Sequence, residues 1–304
     1  MTPDVSVIIP TRNALVWLPT AIASIGPDPR VEILVIDDGS TDGSADWLAQ
    51  QAAADSRLRV LPGGGDGPSV ARNLAIPQAR GQWCAFLDAD DCWAPGKLDV
   101  QLALHRACPE LGFSFTDYRH VTVFGEDRGP CFAYWSRFAA RHGGKSAPFI
   151  LDRALSTLFA ENVVGTSTVL ARTDLLRHIG GFSTWVASAE DWQLWLAMAI
   201  LAPVGVVPTV LTDYLMQRPG AMTRRVADRV LALQTIGIRY RDLAEAEDPS
   251  AGRIFDARLA GAKAELAELT GNRLRATWLR LGALVRAPCR RAAYDLAGTL
   301  RRTA

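Results

Sequence analysis

Three absences bound this chain of 304 residues before any motif is read. It has no unbroken apolar run of about eighteen residues, so no segment reads as a membrane-crossing helix. Its amino terminus, Met1-Thr2-Pro3-Asp4, lacks a basic stretch followed by an apolar one and leads straight into a strand, which predicts no signal peptide. The five cysteines (Cys84, Cys92, Cys108, Cys131, Cys289) are odd in number and show no Cys-x-x-Cys spacing. That pattern fits reduced thiols in a cytoplasm better than disulfides or a zinc site.

Net charge is also nearly absent, at +1, but the balance is uneven. From Arg273 onward eight arginines face one acid, Asp295, a net of +7, which leaves −6 for the rest. No nucleic-acid motif accompanies the basic tail, so its charge does not read as a DNA-binding surface. What is present is apolar material: 49% of the residues are hydrophobic, enough for one large or two modest domains.

The first third alternates strand and helix. Val5–Ile9, Val31–Ile36, Leu58–Leu61 and Trp83–Leu87 read as strands, and the runs 14–25, 44–54 and the segment after Pro68 as helices. Such alternation predicts parallel pairing in an α/β sheet. Two strands end in acids, Asp37-Asp38 and Asp88-Ala89-Asp90-Asp91. A buried strand cannot take that charge into a core, so the carboxylates emerge at the carboxyl edge, where open α/β sheets bind ligands. Asp-x-Asp spacing on a short turn suits a hard divalent ion shared with phosphate oxygens; the bland alternative is a polar turn before the helix near Pro95. Gly63-Gly64-Gly65-Asp66-Gly67 follows the third strand, not the first, which argues against a dinucleotide-binding fingerprint. It reads instead as a mobile loop over a ligand, with Pro68 opening the next helix.

Four motifs in order over about ninety residues resemble the family 2 glycosyltransferases of GT-A fold: Ser6-Val7-Ile8-Ile9-Pro10-Thr11-Arg12-Asn13, Ile36-Asp37-Asp38-Gly39-Ser40, Ala71-Arg72-Asn73 and Phe86-Leu87-Asp88-Ala89-Asp90-Asp91. Gly180-Gly181-Phe182 and Glu190-Asp191-Trp192 add a fifth. The resemblance implies a Rossmann-like, mostly parallel nucleotide-binding sheet with helices on both faces, plus a helical C-terminal region. It implies a GT-A unit over 1–225, with a donor half (1–115) and an acceptor half (116–225), then an extension over 226–304. It further implies a metal-dependent, inverting transfer of a sugar from a nucleoside-diphosphate sugar to a hydroxyl of a glycan, lipid-linked or protein acceptor, in bacterial surface-glycan synthesis.

Carried over residue by residue, Pro10, Thr11, Asn13, Asp38, Arg72 and Asp88 bind the donor nucleotide. Asp90 or Asp91 holds Mn²⁺ or Mg²⁺, and Asp191, or else Glu190, is the general base. Each has a bland counterpart: Asp38 as an Asx turn, Arg72 as a solvated surface arginine, and Ser188-x-x-Asp191 as a capping box. A cation in the first turns of a helix is poorly placed for the helix dipole, and a charge so misplaced points to function. Arg218 stands where the family carries a histidine; arginine pairs with a diphosphate but cannot ligate a metal. Trp185 is a candidate for stacking on an acceptor sugar, against the default that large aromatics are core. The segment 116–155, with Tyr118, His120, Tyr134, Trp135, Arg137 and Arg141, is the expected place for acceptor specificity.

The last candidate is the helix over 273–287. Leu274, Trp278, Leu281 and Val285 share a stripe, with Arg273, Arg275, Arg280 and Arg286 away from it. It fits either an anionic membrane surface or docking on the body or a second subunit. The first places a cytoplasmic protein at the inner membrane face. Two rivals are weighed against the transferase. A nucleotidyltransferase would need a basic glycine-rich loop after the first strand, which is missing. A non-catalytic nucleotide-sugar binder or scaffold remains if Asp191 only caps its helix.

Overall fold

A computed structural model describes residues 2–186, 188–216 and 226–303. In chain order the elements are β1 (Val5–Thr11), α1 (Leu18–Ser24), β2 (Val31–Asp37), α2 (Ser44–Ala54), β3 (Leu58–Pro62), α3 (Pro68–Ala75) and β4 (Trp83–Phe86). Next come β5 (Cys92–Trp93), α4 (Lys97–Ala107), β6 (Phe113–Thr122), β7 (Asp127–Pro130), α5 (Cys131–Tyr134), α6 (Ser136–His142), β8 (Phe149–Ile150) and α7 (Ala154–Ala160). The chain continues through β9 (Val169–Arg172), α8 (Thr173–Ile179), α9 (Glu190–Leu201) and β10 (Val204–Met216). Four helices follow: α10 (Val226–Glu247), α11 (Ala251–Leu269), α12 (Arg273–Arg286) and α13 (Arg290–Thr303).

The strands form one sheet in the order β3-β2-β1-β4-β9-β6-β10-β5. From β3 to β4 every pairing is parallel, as the strand–helix alternation predicts. Beyond β4 the sheet is mixed: β9 runs antiparallel to both β4 and β6, while β6 and β10 are parallel. Each central strand is buried on both faces, which explains its continuous apolar sequence. Side chains alternate across β1 and β2: Val5, Val7, Ile9, Ile33 and Val35 pack towards α1, α2 and α4. Ile8, Leu34 and Ile36 enter the larger core on the opposite face.

That larger core runs without interruption into the C-terminal helices, taking in Ile236 and Tyr240 of α10 and Phe255 of α11. Phe255 stacks on Phe159 of α7 at 4.3 Å between ring centroids. Helix α12 packs on α11 through small residues, Ala276 against Ala264 and Ala267. The predicted stripe therefore points the other way, with Leu274 78%, Trp278 72% and Val285 75% exposed. Arg280, away from the stripe as the periodicity predicts, turns inward to Glu268 (3.1 Å) and Asp295 (3.8 Å). Pro288 separates α12 from α13 as expected. Among the described residues no helix is long and apolar enough to cross a membrane.

Candidate active site

The carboxyl ends of β1 and β2 meet in a small hydrogen-bonded clasp. Asn13 adopts a left-handed conformation (φ 51°), its N–H donates to Ser40 Oγ (3.0 Å), and its side-chain oxygen accepts from the Thr41 N–H (2.7 Å). Asn tolerates this backbone region where most residues do not. Asp37 holds the same turn by accepting the Ser40 N–H. Pro10 and Thr11 are buried in the last positions of β1, and Thr11 Oγ1 has no hydrogen-bond partner among the described residues. A buried hydroxyl without a partner is costly unless a ligand or water supplies one.

Asp38 does more than make an Asx turn. One oxygen accepts the Gly65 N–H and the other the Gly67 N–H, both at 2.8 Å. Arg12 donates to the Gly65 carbonyl at 3.1 Å. The glycine loop is thus latched across the strand ends. Glycine is required at 65 and 67 because both have positive φ (83° and 97°), and at 63 because a Cβ would lie 2.7 Å from the Asp38 carboxylate.

Arg72 is buried, not solvated, and it joins the two halves of the site. Its guanidinium donates to Asp88 at 2.5 Å and lies 4.0 Å from Glu190. It also sits 5.1 Å above the Phe182 ring. Contrary to expectation, its charge is not misplaced for the helix dipole, because α3 is only eight residues long, which puts Arg72 in its last turn as well. Beside it Asn73 makes a two-way tie to Phe182, accepting its N–H and donating to its carbonyl, each at 2.8 Å. Gly181 must be glycine for this tie, since a Cβ there would meet the Asn73 oxygen at 2.2 Å and φ is 77°.

The three acids after β4 have different surroundings. Asp88 and Asp90 are half-buried, whereas Asp91 is buried with both oxygens engaged, by Ser167 Oγ (2.5 Å) and the Leu215 N–H (3.0 Å). Burial, with Asp88 and Asp90 nearby, pushes the Asp91 carboxyl well above the usual carboxylate range. Asp91 therefore ties the end of β4 to β10, with one hydrogen bond on each of its oxygens. Among the described residues no set of three His, Cys, Asp or Glu is placed to hold a metal by itself. Two half-buried carboxylates on one turn nevertheless suit a hard cation that takes its remaining ligands from phosphate and water. Arg218 lies outside the described residues.

Glu190 and Asp191 open α9. The capping box is not formed: Ala189 is the N-cap, at φ 58°, with no side-chain cap. Asp191 instead accepts hydrogen bonds from Thr166 Oγ1 (3.0 Å) and the Trp192 N–H (2.7 Å). Burial, then the neighbouring Glu190 charge, raises its carboxyl to about 6, against the pull of these donors and of Arg72. One turn on, Trp195 locks the helix into an aromatic cluster with Phe86 (5.9 Å), Phe113 (5.5 Å) and Phe182 (5.9 Å). The base candidate thus rests on the back of the strand that carries Asp88.

Tyr214, on β10, lies among the acids of the site. Burial and the carboxylates of Asp91, Asp88, Asp90 and Asp191 push its phenol well up, so it stays a hydrogen-bond donor amid the acids. Its ring packs with Tyr118 (5.9 Å) and His120 (5.6 Å). The rest of the expected specificity segment faces elsewhere. Arg141 pairs with Asp248 at 2.7 Å, and Trp135 carries the Arg258 guanidinium of α11 at 4.8 Å. Trp185 is not core; it is 96% exposed on the loop before α9.

A parallel nucleotide-type half, acids at its carboxyl edge and a buried carboxylate opposite them define a GT-A glycosyltransferase fold. Comparison with known proteins agrees. The model of Glycosyl transferase family 2 matches residues 6–143. An uncharacterized glycosyltransferase of Rickettsia felis is 32% identical over 212 residues, 68% of this chain and 32% of that protein. The chain therefore spans about a third of the length of the first relatives it matches. The Escherichia coli UDP-Glc:alpha-D-GlcNAc-diphosphoundecaprenol beta-1,3-glucosyltransferase WfgD is 28% identical over 200 residues, 64% of this chain and 69% of that one. Among solved structures, the mannosyltransferase PcManGT of Pyrobaculum calidifontis in complex with GDP-Man and Mn²⁺ superposes with a TM-score of 0.63 at 20% identity, covering 99% of this chain and 81% of that one. The chain belongs to glycosyltransferase family 2.

Proposed function

We propose that the protein is a metal-dependent, inverting glycosyltransferase that moves a sugar from a nucleoside-diphosphate sugar to an acceptor hydroxyl in surface-glycan synthesis. The observation that carries this reading is the Asp88–Arg72–Glu190 chain, which brings the donor-side acids and the base candidate Asp191 into one charged network. In this reading residues 1–115 hold the donor, 116–225 the acceptor, and 226–304 an extension that shares the body's core.

The donor nucleotide occupies the strand edge bounded by Pro10, Thr11, Asn13 and Asp38, with the unpartnered Thr11 hydroxyl as one contact. Asp88 and Arg72 border its ribose and diphosphate. Asp90, the less buried member of the Asp90-Asp91 pair, would hold Mn²⁺ or Mg²⁺, with Asp88 beside it. An ion held there would supply positive charge to offset that of the departing diphosphate. Asp191 takes the proton of the acceptor hydroxyl as the oxygen bonds to the anomeric carbon; the carbon–oxygen bond to the diphosphate breaks and its electron pair leaves with the nucleotide. A sugar hydroxyl is too weak an acid to ionise at neutral pH, so the proton must move during attack. Glu190 lies beside Arg72, 4.0 Å from its guanidinium. Attack opposite the leaving group inverts the anomeric centre. Trp185, exposed before the base helix, offers a stacking face for an acceptor ring.

Loss of the loop latch tests the donor end. Asp38→Asn turns an amide NH₂ towards one of the two glycine N–H groups, so one hydrogen bond becomes a donor–donor contact. Nucleoside-diphosphate affinity, measured by calorimetry, is expected to fall roughly tenfold. Unchanged affinity would remove Asp38 from the site.

The reading extends to an anionic lipid surface at the cytoplasmic side, where a lipid-linked acceptor would sit. Leu274, Trp278 and Val285 stand exposed on α12, and the chain from Arg273 carries a net +7. Each basic residue near such a surface contributes about 1 kcal/mol, in addition to the apolar insertion. The protein is expected to sediment with phosphatidylglycerol vesicles, not with phosphatidylcholine ones, and Trp278→Glu is expected to release it. Failure to sediment, or formation of a dimer through the same stripe, would overturn the membrane assignment.

A further inference from the structure

The turn 165–168, between α7 and β9, touches both halves of the site with consecutive side chains. Thr166 Oγ1 donates to Asp191 Oδ2 at 3.0 Å. Ser167 Oγ donates to Asp91 Oδ2 at 2.5 Å and accepts the Asp88 N–H at 3.0 Å. The Ser167 carbonyl accepts the Trp93 indole N–H at 2.7 Å. No feature of the sequence pattern singles out these two hydroxyls, which act on residues 25 and 76 positions away.

The turn is itself held rigidly. Thr168 Oγ1 donates to the Gly165 carbonyl at 2.7 Å, and the buried Gln101 amide donates to the Thr168 carbonyl at 3.1 Å. Thr166, Ser167 and Thr168 are all buried. A Cβ on Gly165 would lie 3.0 Å from the Tyr118 ring, so glycine lets the turn approach β6 closely.

We propose that Thr166 is the positioning residue of the general base, and that the Thr166-Ser167 pair keys the base to the donor-side acid loop at a fixed spacing. The inference rests on the assignment of Asp191 as base. The Trp192 N–H occupies one oxygen of Asp191 and Thr166 the other, which fixes the carboxylate plane and leaves each oxygen a lone pair for an incoming hydroxyl. A hydroxyl that donates to a carboxylate also favours its anionic form, the form a base needs. The other charged and titratable groups around Asp191 are Glu190 on its own helix, Arg72 from α3, Tyr118 from β6 and Tyr214 from β10. None of them is altered when the Thr166 hydroxyl alone is removed. A misplaced base lowers turnover more than binding, because its contact matters only as the proton moves.

The test compares wild type, Thr166→Val and Thr166→Ser in nucleoside-diphosphate release from nucleotide sugars between pH 5 and 9, with calorimetric binding of the nucleoside diphosphate. Thr166→Val is expected to lower kcat roughly tenfold or more, to shift the acid limb of the rate profile upward, and to leave nucleotide affinity within about twofold. Thr166→Ser is expected to restore both kcat and the limb. A Thr166→Val protein with wild-type kcat and limb would overturn the inference. So would a loss of rate that follows lost nucleotide binding and that serine does not rescue. An active wild type indifferent to Thr166→Val sinks this inference alone, whereas a wild type without turnover on any nucleotide sugar sinks the base assignment and this one with it.

Discussion

Asp191→Asn is expected to lower sugar transfer by about 10²–10⁴-fold while leaving donor affinity within about twofold, the range for loss of a positioned general base. Asparagine keeps the shape and can still accept from Thr166 or the Trp192 N–H, but its amide cannot take a proton from an acceptor hydroxyl. The wild-type rate should fall as pH drops through about 6, where burial and Glu190 bring the carboxyl to protonation. That limb should be missing from the residual activity of the variant. Stability should move the opposite way. The folded-state pKa of Asp191 is raised, so the native state binds this proton more tightly than the unfolded chain, whose aspartates titrate near 3.9. Stability is therefore lost as pH rises between roughly 4 and 6, and at pH 7 the ionised carboxylate is a net burden. Asp191→Asn removes that burden and should raise the melting temperature at pH 7, by about 2 °C for each kcal/mol relieved in a chain of this size. A variant that loses both activity and stability would show that Asp191 is structural.

Arg72→Met should lower both stability and turnover. The guanidinium lies among the charges of Asp88, Glu190 and Asp191, and methionine fills much of its volume without the charge. Breaking a fully buried ion pair costs about 3–5 kcal/mol; Asp88 keeps 29% of its side-chain exposure, so a smaller loss of roughly 2 kcal/mol is expected here. Without Arg72 the acids raise one another's pKa, so the acid limb should move to higher pH. The stability deficit should shrink at pH 5, where protonation relieves the repulsion. Arg72→Lys is not expected to rescue, because one ammonium cannot serve Asp88 and Glu190 as a planar fork does. A deficit that is the same at pH 5 and pH 8 would mean that packing on Phe182, not charge, explains the residue's burial.

Much of the donor half could be read from the sequence, because its information is local. β-branched runs ending in acids mark strands and their ligand edge together, and β1, β2, β3 and β4 lie where the apolar runs place them. The acceptor half was less legible. Strand β9 inserts antiparallel between β4 and β6, a pairing that no local pattern encodes. The burial of Arg72 depends on Asp88 and Glu190, which are 16 and 118 positions distant, and the roles of Thr166 and Ser167 depend on comparable separations. Helix α12 shows the limit of periodicity most clearly. Its apolar stripe was visible, but close packing through Ala276 buried the opposite face and left leucine, tryptophan and valine outside. An amphipathic pattern reveals that a helix has an apolar face, not what that face meets.

The most direct test of the account is nucleoside-diphosphate release from UDP- and GDP-sugars in the presence of Mn²⁺, wild type beside Asp191→Asn. The account predicts release with one nucleotide class, abolished in the variant although the variant still binds that nucleotide. No release from any donor, or equal release by the two proteins, would contradict it.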